Sequence, residues 1–156
     1  MNAAKATRMN ISISDEVAGL LDKVENKSGY IARLVEEAWR EWQEALRALD
    51  VAGWRSAEVR AACDVLNGTI WSVGESSGPM VAHRLEEATR LDGLAKKWEL
   101  DGDHWRGIIE DLALRRELGF AVVVVVREWW RGNKALEAAI DRLDEVAERR
   151  ARGEER

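Results

Sequence analysis

A chain of 156 residues with 46% hydrophobic side chains is long enough to fill a core, and its 24 basic and 29 acidic residues, net charge −5, are mixed along the length, which excludes a protein that coats polyanions through a basic tail. The opening residues lack the apolar run of a signal peptide and the longest aliphatic stretch, Ala121 to Val126, is far short of the roughly 18 residues of a membrane helix, so a cytoplasmic location is expected. One cysteine, Cys63, and two histidines, His83 and His104, leave no internal disulfide and no zinc site to be expected, and no cofactor is called for.

In chain order, Met9, Ile11 and Ile13 alternate with Arg8, Asn10 and Ser12, the period-two pattern of a half-buried strand. A lone short strand leaves its backbone donors and acceptors unpaired, and no hairpin partner follows in the next sixty or so residues, so the pattern predicts pairing with a second chain. Ser14 is a helix cap, Asp15 and Glu16 complement the positive helix end, and Val17, Leu20, Leu21 and Val24 form one apolar stripe. After Glu25-Asn26-Lys27, Ser28 can cap a second helix whose stripe runs through Ile31, Leu34, Val35, Ala38 and Trp42 to Leu49, ending at Gly53. A helix of that length protrudes from a minimal module, so the C-terminal part is expected to cover its far end.

The order strand, helix, tight turn, helix, with the segment Asn26-Lys-Ser-Gly-Tyr-Ile-Ala-Arg-Leu-Val-Glu-Glu-Ala, resembles the ribbon-helix-helix family of the methionine and Arc repressors and of many antitoxins, over roughly residues 6–45. The resemblance implies a homodimer, extending to higher oligomers, whose paired strands lie in the major groove of double-stranded DNA. It puts Arg8, Asn10 and Ser12 against base edges and Lys27, Ser28 and Gly29 at a backbone phosphate. Arg and Asn suit bidentate readout of guanine and adenine, whereas a short Ser reads bases less selectively. The Gly29 and Tyr30 amides would be unpaired donors at a positive helix end, where an anion binds. The alternative for Arg8, Asn10 and Ser12 is the solvated face of a ribbon, and for Lys27 an ordinary exposed lysine.

Beyond Trp54 the spacing is helical. Ser56 caps a helix with Val59, Ala62, Cys63 and Leu66 on one face, closed by Asn67-Gly68, and Cys63 on that stripe is core packing. Gly74 to Gly78 is a loop, and Pro79 starts a helix carrying Val81, Leu85, Ala88, Leu91, Ala95 and Trp98. Asp101-Gly-Asp-His is a turn with a cap at Asp103, before Trp105, Ile108, Ile109 and Leu112. The run Phe120 to Trp130 holds five successive valines that favour a strand between flanks that read as helix; a buried helix is the chosen reading. Gly132-Asn133 ends it, and a last helix carries Leu136, Ile140, Leu143 and Ala147 before a charged, frayed end from Arg149 to Arg156. Six of the eight tryptophans follow the long helix, either lining a ligand pocket or partner surface or, as preferred, packing a helical core.

The expected architecture is therefore mainly α: a ribbon-helix-helix module over 1–50, with one strand paired across a dimer, followed by an all-α domain over 51–156. No phosphate loop, nucleophile elbow or convincing His pair appears, so no enzyme is expected. The leading function is a DNA-binding transcriptional regulator, a repressor or autorepressor. The alternative is an antitoxin or protein-interaction module whose C-terminal helical domain binds a toxin or other protein partner.

Overall fold

Residues 6–67 and 78–153 are described by a computed structural model of the chain. Among them lie nine helices and no strand: α1 (Asp15–Leu21), α2 (Lys27–Val51), α3 (Ser56–Leu66), α4 (Gly78–Asp92), α5 (Leu94–Lys97), α6 (Gly102–Leu114), α7 (Arg116–Trp130), α8 (Lys134–Asp141) and α9 (Leu143–Ala151). The expected N-terminal strand is corrected: residues 6–14 form no regular structure, and Met9, Ile11 and Ile13 are exposed instead of core. Three alternating pairs cannot hold a strand without an edge to pair with, and no strand edge exists among the described residues. The ribbon-helix-helix fold and the dimer built through its ribbon fall with it.

The chain divides into two units, Met1–Glu37 and Ala38–Arg156. In the first, Ser14 caps α1, its hydroxyl accepting from the Val17 amide at 3.2 Å. The start of α2 is capped by Asn26 instead of Ser28, because the Asn26 side chain accepts from the Gly29 amide at 3.0 Å. None of residues 6–37 is buried.

The second unit holds the core. Trp42, Ala45, Leu46 and Leu49 of α2 are buried in it, so the far end of the long helix is covered as expected, and Gly53 closes that helix with φ +95°. Val59, Ala62, Cys63 and Leu66 of α3 and Trp105, Ile108, Ile109 and Leu112 of α6 are buried on the stripes their spacing predicts. α7 packs on α3, α4, α6 and α8. Its valine run is helical: Val122, Val124, Val125 and Val126 are buried, and Val123 half-buried. A β-branched residue costs about 0.5 kcal/mol of helix propensity relative to alanine. Full burial of its side chain contributes about 1.5–3 kcal/mol, so tertiary packing decides the conformation.

Five local expectations shift. Arg55, not Ser56, stands at the cap position of α3. The helix expected to run from Pro79 to Trp98 breaks at Gly93, φ +64°, into α4 and α5, and Leu91 is exposed. Asp101, not Asp103, caps α6, accepting from the His104 amide at 3.0 Å. α4 starts at Gly78, one residue before Pro79. The single last helix is two, α8 capped by Asn133 and α9, which runs to Ala151 and so into the segment expected to fray. Trp54 and Trp105 meet edge to face with centroids 6.1 Å apart in the core, Trp98 and Trp129 are half-buried and Trp130 is exposed. Trp71, and residues 74–77 of the expected loop, lie outside the described residues.

At Gly78 the helices leave no room for a side chain, since a Cβ there would overlap the Leu112 carbonyl oxygen and sit 3.1 Å from that of Arg115. Gly78→Ala is therefore expected to destabilise the chain by about 1–3 kcal/mol in denaturant unfolding, with Gly107→Ala, whose Cβ meets open space, as the control that does not.

Candidate interaction surface

The sequence-predicted DNA contacts lie on two segments, one irregular and one helical. Arg8, Asn10 and Ser12 are exposed on an irregular segment that offers no ribbon to present them to base edges, so the major-groove mechanism of a regulator is corrected along with the strand. Lys27, Ser28 and Gly29 stand together in the first turn of α2. The amides expected to be unpaired there are not: Gly29 donates to the Asn26 side chain, and Tyr30 donates to the Asn26 carbonyl at 3.0 Å. Lys27 Nζ lies 3.7 Å from Asp22 Oδ1. An anion would have to displace these contacts, and residues 6–37 carry six acidic side chains against four basic ones.

What this unit does present is apolar. Met9, Ile11 and Ile13, then Val17 and Leu20 on α1 and Tyr30, Leu34 and Val35 on α2, are all exposed, with Ile11 at 65% and Leu20 and Val35 both at 58%. Tyr30, Leu34 and Val35 sit at i, i+4 and i+5, so the helix carries them on one side. Scattered exposed hydrophobics are ordinary on a protein surface; eight within 27 residues that contain no buried residue are not. The alternation that reads as a strand and the stripes that read as core mark this surface correctly as apolar but assign it the wrong partner.

A second constellation lies in the second unit and was not singled out from sequence. Glu58, buried on α3, accepts from the Arg55 amide at 2.7 Å, and His104 Nε2 lies 3.7 Å from the same Glu58 Oε1. His104 Nε2–H donates to the Gly53 carbonyl at 2.9 Å, which fixes the tautomer, because a carbonyl can only accept. Asp50 takes Arg150 at 2.8 Å and Arg55 at 3.6 Å, and Asp144 accepts from the Ser56 amide at 3.0 Å. Burial pushes the Glu58 carboxyl above its ordinary value; the Arg55 amide and His104 oppose this, while Asp144 adds to it. Burial likewise pushes the Cys63 thiol up to about 12, against the pull of Arg60. The groups bond each other and the backbone, locking the α2–α3 turn to α6 and α9. The signal in the sequence is the acid three residues after Arg55, at the position from which a side chain reaches back to the residue preceding a helix.

No family model, curated protein or solved structure matches the chain. The resemblance to the ribbon-helix-helix family thus has neither a strand nor a matching family model behind it.

Because the folded Glu58 binds its proton more tightly than the unfolded residue, with its ordinary value of 4.5, its contribution to stability is complete below that value and is lost as pH rises through the raised one. Glu58→Gln, which keeps an acceptor for the Arg55 amide, is expected to remove this loss. Its melting temperature relative to the parent should rise between about pH 4 and about pH 7 in thermal unfolding; a difference that does not change with pH contradicts the assignment.

Proposed function

We propose that the chain is an all-α protein-interaction module, and that the apolar side chains of residues 9–35 are its docking surface for a partner protein. The observation that carries the reading is the contrast between the two units: the second buries its own hydrophobic residues, whereas the first buries none. A unit of fewer than about 40 residues normally needs a disulfide, a metal or an associated chain to hold its shape. The one cysteine lies outside this unit, and the described residues contain no cluster of metal ligands. An associated chain is what would cover its apolar side chains in this reading. Covering a side chain such as Leu34 or Val35 is worth about 1.5–3 kcal/mol when burial is complete, enough for a few of them to support specific binding.

The module acts by binding and not by catalysis in this reading. In support, the Cys63 thiol is buried and protonated at neutral pH, and the Glu58 carboxyl and His104 Nε2 are engaged with the backbone of the same chain. A cytoplasmic site of action is in keeping with the lone reduced cysteine; among the described residues no helix is long and apolar enough to cross a membrane.

A photoreactive side chain placed at Leu20 or at Leu34 and activated in cells is expected to give one discrete protein adduct. A second variant carrying Val35→Asp beside the Leu34 probe should lose it, and a probe at exposed Leu114 of the second unit should not give it. If no adduct forms from either position, and the purified chain alone protects the amides of 15–37 from exchange, the unit needs no partner and the proposal fails.

A further inference from the structure

Within the second unit, the neighbours of α7 leave one strip of it uncovered. At 3.6 residues per turn, Arg116, Phe120, Val123, Arg127 and Trp130, with Arg131 just past the helix end, fall within an arc of about 100°. Phe120 is 55% and Trp130 59% exposed, and Val123 and Arg127 are half-buried between them. The one phenylalanine of the chain thus lies outside the core. Phe120, Val123, Arg127 and Trp130 follow each other at steps of three, four and three, the spacing at which one helix offers a ridge to another. The charges of the arc are all of one sign, in a chain whose acids outnumber its bases by 29 to 24. The acids of α7 are elsewhere: Glu117 lies beyond the edge of the arc and pairs with Arg115, and Glu128 is buried. Arg116 is exposed and pairs with no carboxylate among the described residues. Arg127 pairs with Glu41, and Arg131 with Glu128 at 3.4 Å, yet the Arg131 side chain stays 54% exposed. A guanidinium carries five N–H donors, so one carboxylate does not exhaust it.

We propose that this face of α7 docks an amphipathic helix of a partner protein whose apolar stripe is flanked by Asp or Glu. The three arginines set the sign of the partner, and the place of Arg127 sets its class. Phe120 and Trp130 stand about 15 Å apart along the helix, with Arg127 between them. A lipid surface that took up both rings would draw the Arg127 guanidinium and its Glu41 partner toward hydrocarbon, where charge is costly. A nucleic acid would bring phosphates up to Glu41 as well as to the arginines and would leave Val123 uncovered. A protein helix meets each demand at once: its apolar side chains cover Phe120, Val123 and Trp130, and its carboxylates take the free donors of Arg116 and Arg131. Tryptophan and arginine are also the side chains that most often dominate contacts of this kind. The inference is independent of the docking surface on residues 9–35, and its failure leaves that reading untouched.

The test is a titration of the full chain followed by the Trp130 indole N–H resonance, identified by its loss in Trp130→Phe. The probes are two synthetic helical peptides of about 20 residues, both with leucine at every a and d position of the heptad, one with Glu and the other with Lys at the flanking e and g positions. Vesicles of phosphatidylcholine with phosphatidylserine, and a DNA duplex, are titrated in parallel. The Glu peptide is expected to shift the resonance with a dissociation constant on the order of 100 μM, and the Lys peptide to bind at least about tenfold more weakly. Phe120→Ala should weaken the Glu peptide by at least about tenfold with the helical circular dichroism unchanged, and Arg116→Glu should narrow the preference between the peptides by at least about threefold. Equal affinity for the two peptides, no movement of the Trp130 resonance, Glu-peptide binding unaltered by Phe120→Ala, or a response to the vesicles or the duplex with none to the Glu peptide overturns the proposal.

Discussion

The second unit depends on burying most of one helix. Val122, Val124, Val125 and Val126 of α7 are buried among α3, α4, α6 and α8, while Phe120, Val123, Arg127 and Trp130, at i, i+3, i+7 and i+10, leave one face of it open. The other elements follow from that demand. α3 and α6 bring stripes of small and medium side chains that close on it, and the bare backbone of Gly78 lets α4 come within contact of the end of α6. At its C-terminal end α7 turns polar: Arg127 pairs with Glu41 of α2, and the buried Glu128 is held by Arg131 and Asn133.

The N-terminal unit has the opposite balance. Its backbone is satisfied in α1 and α2, each started by a side-chain cap, yet its apolar side chains have nothing within the unit to cover them. Hydrogen bonding and hydrophobic burial, which act together in the second unit, are separated here. Local bonding forms the helices, while the larger favourable contribution awaits a surface that the unit does not contain.

Helical periodicity made most of the second unit legible, because a stripe at i, i+3, i+4 and i+7 reports burial directly, and Val59, Cys63, Leu112 and Ile140 all lie where it puts them. Alternation over Arg8 to Ile13 was less informative: a period of two is also what a short irregular segment shows by chance, and strand formation depends on a neighbour that a single sequence does not reveal. Helix starts were ambiguous where two capping residues stand two apart, as with Asn26 and Ser28 or Asp101 and Asp103, since the choice rests on which backbone bends first. Glu58 and His104 were illegible as a pair, being brought together only by the packing of α6 on the turn after α2.

The cap of α3 has a consequence for how the chain comes into being on the ribosome. The Ser56 amide is satisfied by Asp144, 88 residues downstream, and Asp50 by Arg150, 100 residues downstream. At translation rates of 5–20 residues per second these partners emerge roughly 5 to 20 s after the segment they complete. For that interval the Ser56 amide is served by water, and Asp50 has Arg55, five residues on, but not yet Arg150 as a charge partner. α9 thus brings the contacts that complete the α2–α3 turn, and the turn acquires them only once that helix has been synthesised.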